Sequence, residues 1–187
     1  MKKRIMAALL TALFLTLTSC GGSGETENGV PADSASPGTD ATETAAGVSI
    51  SEDGYVCTLD SGKTIPLGAR TDDILGGLGA VTDTQEAPSC LYDGTDKVYT
   101  IDGAYTVTST QAADGAERIT QISFLSDAAA VKTDAGLLMI GSDEADVTAA
   151  FGEPAEDSFG VKKYSLTGGT LTAVITDGAV TGLTFAY

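Results

Sequence analysis

Two sets of residues recur along this chain at two set spacings, and that recurrence limits the fold more than any other feature. Gly68, Ile74 and Gly79 return 73 positions later as Gly141, Val147 and Gly152. Ile119, Ile122 and Phe124 return 61 positions later as Val180, Leu183 and Phe185, each set preceded by an Asp-Gly pair, Asp114-Gly115 and Asp177-Gly178. The unequal spacings put about a dozen extra residues in the first copy, between its helix and its last strand. Each copy reads as glycine, short helix, glycine, then an antiparallel run of strands. One helix on one small sheet buries too little apolar surface to stand alone. The expectation is therefore an α+β fold of two tandem repeats sharing a core, with helices and strand runs segregated instead of alternating. Residues 48–135 form the first repeat, with an N-terminal hairpin, and residues 136–187 the second.

Local signals place the elements. Val48–Ile50 and Tyr55–Leu59 flank Ser51-Glu52-Asp53-Gly54 and read as a hairpin. A first helix is expected over Asp72–Leu78, with Thr71 as N-cap, two acids at the positive end of the dipole and Gly79 as its stop. Strands are expected at Ser89–Tyr92, Lys97–Ile101, Ala104–Thr110 and Arg118–Leu125, with Asp102-Gly103 as a two-residue hairpin turn. Asp127–Ala135 reads as a polar loop, and the second helix as Asp143–Phe151 with Ser142 as N-cap.

Ahead of this domain lies a different texture. Met1-Lys2-Lys3-Arg4, an apolar run from Ile5 to Leu17, and Leu17-Thr18-Ser19-Cys20-Gly21 have the order of a secretory signal peptide over residues 1–19. About a dozen apolar residues are too few to span a bilayer as a helix. The last residues resemble the bacterial lipobox, in which Cys20 becomes the lipidated first residue. A diacylglyceryl group brings two acyl chains, such as palmitate, which is the two-chain threshold for stable anchoring. Residues 20–47 then read as lipidated Cys20 and a flexible linker. Five acids (Glu25, Glu27, Asp33, Asp40, Glu43), no base and almost no large apolar residue cannot offset the entropy of ordering. As a coil the linker reaches roughly 30 Å. The expected location is the cell membrane, lipid-anchored and facing outward.

Composition narrows the function. The formal net charge is −16. The signal holds three bases and no acid, so the mature chain would carry −19. Nucleic acid as a partner is excluded, since its phosphates need a basic footprint. The absence of histidine removes the Ser-His-Asp and Cys-His arrangements and every histidine zinc site. Beyond Cys20, two cysteines remain, Cys57 and Cys90. In an extracytoplasmic setting they form one disulfide, or they are two separately buried thiols; spacing does not choose between these.

The string Leu138-Met139-Ile140-Gly141, Val147, Gly152-Glu153-Pro154, followed by Tyr164 and Asp177-Gly178-Ala179-Val180, resembles the short repeat of the β-lactamase-inhibitor-protein and outer-membrane-assembly-lipoprotein (SmpA/OmlA) folds. The first copy has Ala80-Val81 where Glu-Pro would stand. The stretch Ala87–Tyr99 is also similar to one in uncharacterised lipoproteins of Firmicutes type. The resemblance implies a fold and binding through a surface; it carries over no catalytic residue.

Candidate chemistry is sparse. Asp93-Gly94-Thr95-Asp96 places acids beside Tyr92 and Tyr99, a set of oxygens that a calcium ion would accept. A strand-joining turn has the same composition. Asp72-Asp73 and Asp143-Glu144 serve helix dipoles, and Lys162-Lys163 reads as a solvated turn. No catalytic residue, metal ligand or cofactor is assigned. The leading expectation is a non-enzymatic lipoprotein whose acidic head binds a protein or envelope component. The alternative is a calcium-dependent or enzymatic envelope module centred on the Tyr92–Tyr99 loop.

Overall fold

Alternating β-branched and apolar residues in the second half of the chain build most of one antiparallel sheet. The structure is a computed structural model that describes residues 49–89 and 94–187, all within one compact unit. Cys20, the signal and linker segments, Cys90, Tyr92 and Asp93 lie outside the described residues. The described elements are β1 (Val56–Thr58), β2 (Thr64–Pro66), α1 (Thr71–Leu78), β3 (Val81–Pro88), β4 (Thr95–Ile101), β5 (Tyr105–Gln111) and β6 (Glu117–Phe124). They continue with β7 (Val131–Thr133), β8 (Gly136–Leu138), α2 (Glu144–Phe151), β9 (Glu156–Ser158), β10 (Val161–Leu166), β11 (Gly169–Thr176) and β12 (Ala179–Ala186). The fold is α+β, dominated by strands, and among the described residues no helix is long and apolar enough to cross a membrane.

Eight strands form the main sheet in the order β3-β4-β5-β6-β12-β11-β10-β9. β6 and β12 join it at the middle, with Phe124 opposite Leu183, Ser123 opposite Thr184 and Ile122 opposite Phe185. Period-two alternation sends Val107, Ile122, Phe124, Leu171, Leu183 and Phe185 to one face. There they meet Leu67 and Leu78 of the α1 region, Val147 of α2, and the hairpin residues Cys57, Ile65, Val131 and Leu138. Phe185 stands at the centre of this core. It stacks on Tyr55 with centroids 5.3 Å apart and meets Phe124 and Phe151 edge-on at 6.3 and 6.2 Å, the arrangements that ring quadrupoles favour.

Turn chemistry holds the meander together where the sequence expected it. Asp102 (φ 50°) and Gly103 (φ 68°) close β4 onto β5. Gly79 ends α1 at φ 148°, where a Cβ would collide with the Asp102 carboxylate, so glycine is required twice over.

Several expectations are corrected. β1 pairs with β2, not with Val48–Ile50, because Asp60–Gly62 turns the chain (Gly62 N–H to Leu59 O, 2.9 Å) and sets Ile65 opposite Cys57. Tyr55 instead bonds Gly168 O and Leu67 N–H, both at 2.9 Å. The caps each move by one residue. Arg70 precedes α1, leaving Thr71 buried inside the first turn, and Asp143 caps α2, its N–H donating to Asp146 Oδ2 at 3.2 Å. Ser142 faces backward and accepts from Met139 N–H. Asp127–Ala135 is not simply a polar loop, since Ala129, Ala130 and Val131 are buried and β7 begins there. Lys162 and Lys163 lie within β10, not in a turn. β3 was unforeseen: exposed at every residue, it shows no apolar period. Of the expected Ser89–Tyr92 strand, Ser89 falls outside any strand and the rest lies outside the described residues.

Candidate functional site

The face of the main sheet opposite the core carries a row of half-buried side chains. Thr106 and Thr108 of β5, Ser123 of β6, Thr184 of β12, and Thr170 and Thr172 of β11 project there, on the alternate positions of strands whose other side chains enter the core, while Thr110 on the same side is buried. Cross-strand bonds hold several of the hydroxyls: Ser123 to Thr184 at 3.1 Å and Thr110 to Thr120 at 3.2 Å. Between Thr106 and Thr172 this face carries no carboxylate, in a chain of net charge −16. Charge returns toward the outer strands, with Asp83 and Asp96 on β3 and β4 and with Glu156 and Lys163 on β9 and β10, and at the start of β6, where Arg118, opposite Thr110, pairs with Asp114 and Glu52. A neutral centre with a charged rim is the usual anatomy of a protein interface. Short, β-branched side chains also lose little rotamer freedom when covered.

The core-side face of β4–β6 holds a polar cluster. Glu117 accepts hydrogen bonds from Lys97 Nζ (2.7 Å), Tyr99 Oη (2.7 Å) and Ser109 Oγ (2.6 Å). Burial pushes the Glu117 carboxyl up, but the three donors outweigh it and hold the group below the ordinary glutamate range. The same bond raises Lys97, and burial followed by the Glu117 bond raises Tyr99. A cavity of about 300 Å³ adjoins the cluster, lined by Gly94, Thr95, Lys97, Gln111, Gly115 and Glu117. An ionised carboxylate saturated by three donors is a weak base, and Ser109 is fully enclosed. The cluster therefore supports a structural role, satisfying a charge at the margin of the core.

The residues singled out from sequence fall apart in space. Tyr99 points to Glu117, whereas Asp96, three positions earlier on β4, sits on the opposite face. Among the described residues no group of three acids or cysteines is placed to hold a metal ion. Cys57 is enclosed in the core, and burial pushes its thiol up to about 12, so it is protonated at neutral pH. Asp143 and Glu144 open α2, where Glu144 pairs with Lys162 at 2.9 Å; Asp157 takes the same ammonium at 2.6 Å, and both partners raise its pKa. Glu117 escaped the sequence reading because its partners come from two other strands. Phe159, fully exposed in the β9–β10 turn, escaped it too, although a phenylalanine just before Gly160 between short strands is a visible oddity.

Neither the family models, nor the curated proteins, nor the solved structures compared with this chain give a match.

Proposed function

We propose that this chain is a lipid-anchored, outward-facing, non-enzymatic binding module that presents the open face of its eight-stranded sheet to a partner protein. The observation that carries the proposal is the neutral, hydroxyl-rich centre of that face within a strongly acidic protein. Such a surface is cheap to desolvate compared with a field of carboxylates.

The module reads as a tandem repeat. Support comes from equivalent residues making equivalent bonds. Gly68 N–H donates to Ile119 O at 2.7 Å and Gly141 N–H to Val180 O at 2.8 Å. Ile119 N–H returns to Ala69 O, and Val180 N–H to Ser142 O. The bridges Arg70–Arg118 and Asp143–Ala179 follow the same two spacings, 73 and 61. Ser123 and Thr184, 61 apart, lie directly opposite each other, as a two-fold relation between copies would require. On this reading the second copy starts with β7, ahead of Gly136. The anchoring reading rests on Cys20 and the segment around it.

Two experiments test the proposal. In the mature, membrane-bound protein, Thr108→Arg with Thr172→Arg places long charged side chains on the open face; partner recovery should fall at least tenfold with the melting temperature within about 2 °C. Recovery that is unchanged would sink the face as the binding surface. Cys20→Ala should move the protein out of the membrane fraction or leave it unprocessed, whereas a processed variant that stays membrane-bound would contradict the anchor.

A further inference from the structure

We propose that β3 is a docking edge, to which an extended segment of a partner protein, carrying two basic side chains three residues apart, adds as a ninth strand of the main sheet. The inference goes beyond the open-face reading and does not rest on it.

The main sheet ends differently on its two sides. β9 is three residues long and its acids are spent, Glu156 on Lys163 at 2.8 Å and Asp157 on Lys162 at 2.6 Å. β3 is eight residues long and exposed at every one, and among the described residues no strand pairs with its outer side. The ladder with β4 tells which backbone groups that side offers. Ser89 N–H donates to Gly94 O at 2.9 Å, so this pair turns its bonds inward. Antiparallel pairs alternate, and the register runs unbroken from Pro88 opposite Thr95 to Asp83 opposite Thr100. Ala87, Gln85 and Asp83 therefore bond β4, while Thr84 and Glu86 turn both N–H and C=O outward. Pro88 belongs to the same outward set, the place where an edge strand tolerates a missing N–H. The free ladder thus stops at Glu86.

A row of outward donors and acceptors is matched by another extended backbone. Strand addition draws affinity from those main-chain bonds and specificity from side chains on alternate faces. Glu86 shares a face with Thr84 and with Lys97 and Tyr99 of β4, whereas Asp83 and Gln85 take the other face. Neither acid of β3 is in an ion pair among the described residues. The ammonium of Lys97, opposite Glu86, goes to Glu117 at 2.7 Å, and Asp83 accepts from the neutral Gln85 amide at 3.0 Å. An added antiparallel strand would set one residue opposite Glu86 and the residue three positions later opposite Asp83. Lysine or arginine at both places gives each carboxylate a cross-strand partner of opposite charge.

Charge also decides against the nearer occupants. A second copy of the chain could offer its own β3. In every antiparallel register that joins Thr84 or Glu86 to an outward residue of that copy, Glu86 or Asp83 comes opposite or diagonal to its own twin, and like charges so placed are destabilising. Residues 21–47 of this chain hold five acids and no base, so they complement the edge no better. A basic strand from another protein satisfies both the backbone and the acids.

The test uses the full-length chain in detergent micelles and the probe peptide acetyl-Thr-Lys-Val-Thr-Lys-Val-amide, whose lysines fall opposite Glu86 and Asp83. Hydrogen exchange at the Thr84 and Glu86 amides, followed by nuclear magnetic resonance, should slow about tenfold when the peptide is added. Methylating the peptide nitrogens of the first lysine and the second threonine, which would donate to Glu86 O and Thr84 O, should abolish the effect. Glutamate in place of both lysines should abolish it too. Thr84→Pro removes one outward N–H and should end the protection at Glu86, with the melting temperature within about 2 °C. If that variant unfolds, Asp83→Lys with Glu86→Lys decides, because it should reverse the preference in favour of the glutamate peptide. No protection by the lysine peptide, or protection that persists in folded Thr84→Pro, overturns the docking edge. Equal protection by the methylated peptide overturns strand addition, and equal protection by the glutamate peptide overturns the basic partner. Protection that grows with protein concentration alone overturns the choice of a foreign strand. Thr108→Arg with Thr172→Arg should leave the protection unchanged, so the edge and the open face fail separately.

Discussion

The sheet's first four strands, β3–β6, and its last four, β9–β12, hang from the same central seam but finish differently. The first half ends in an eight-residue strand exposed along its whole length; the second ends in three residues. Their charged groups differ in the same way. In the first half a carboxylate, Glu117, is satisfied from within the sheet, by Lys97 and Tyr99 of β4 and Ser109 of β5. In the second half an ammonium, Lys162, is satisfied partly from outside the sheet, by Glu144 of α2 as well as Asp157 of β9. The first half is not wholly self-supplied, since Arg118 of β6 takes Glu52 at 3.0 Å and Asp114 at 2.7 Å from loops outside the sheet. The buried aromatic seam is common to both.

The largest effect should come from that seam. Phe185→Ala removes a ring that touches Tyr55, Phe124 and Phe151 and should cost about 3–5 kcal/mol in chemical denaturation. Circular dichroism and tyrosine fluorescence should lose structure at one midpoint. Two separate midpoints would break the comparison, since the halves would then be independent folding units.

Glu117→Gln comes next, at about 1–2 kcal/mol after allowing for its partial exposure. Because the folded-state pKa of Glu117 is lowered, its contribution is fully present above the unfolded value of about 4.3 and is lost as pH falls through the folded value. Denaturation midpoints measured down the acid limb should therefore fall less steeply in the glutamine variant. An identical acid limb would mean that the cluster adds nothing.

Lys162→Met should destabilise less than Glu117→Gln, and added salt should shrink the difference from the parent, because its acidic partners are more exposed. A loss that exceeds that of Glu117→Gln would reverse the ranking of the two halves. The smallest signal is chemical. Cys57 should resist alkylation at pH 8 in the native protein and react once unfolded, followed on its own peptide by mass spectrometry. Reaction in denaturant only after a reductant is added would instead establish the disulfide with Cys90.

Legibility in the sequence followed the range of the interaction. Asp102-Gly103, the glycine ending each helix and the apolar alternation of β6 and β12 are local signals, and each element appears within a residue or two of its expected place. β3 was hidden because an edge strand exposed on both faces needs no apolar period. The hairpin partner of β1 was misread because both flanks looked extended and the deciding contact was Ile65 against Cys57 in the core. Thr71 looked like a cap by residue type, yet packing drew it inside the first turn. Nothing near Glu117 in the chain foretells a tyrosine and a lysine from β4.

By itself the sequence determined the parts that depend on neighbouring residues: turns that need glycine or aspartate, short helices bounded by glycine, and strands with one apolar side. Only the tertiary structure decided that β6 and β12 join the halves, that one face of the sheet stays uncovered, and that Phe159 stands out in solvent at a turn built for aspartate. The reason is physical. Those outcomes turn on contacts between distant residues, such as Ser123 with Thr184, 61 positions apart, whose energies are set by the packed core and not by local propensity.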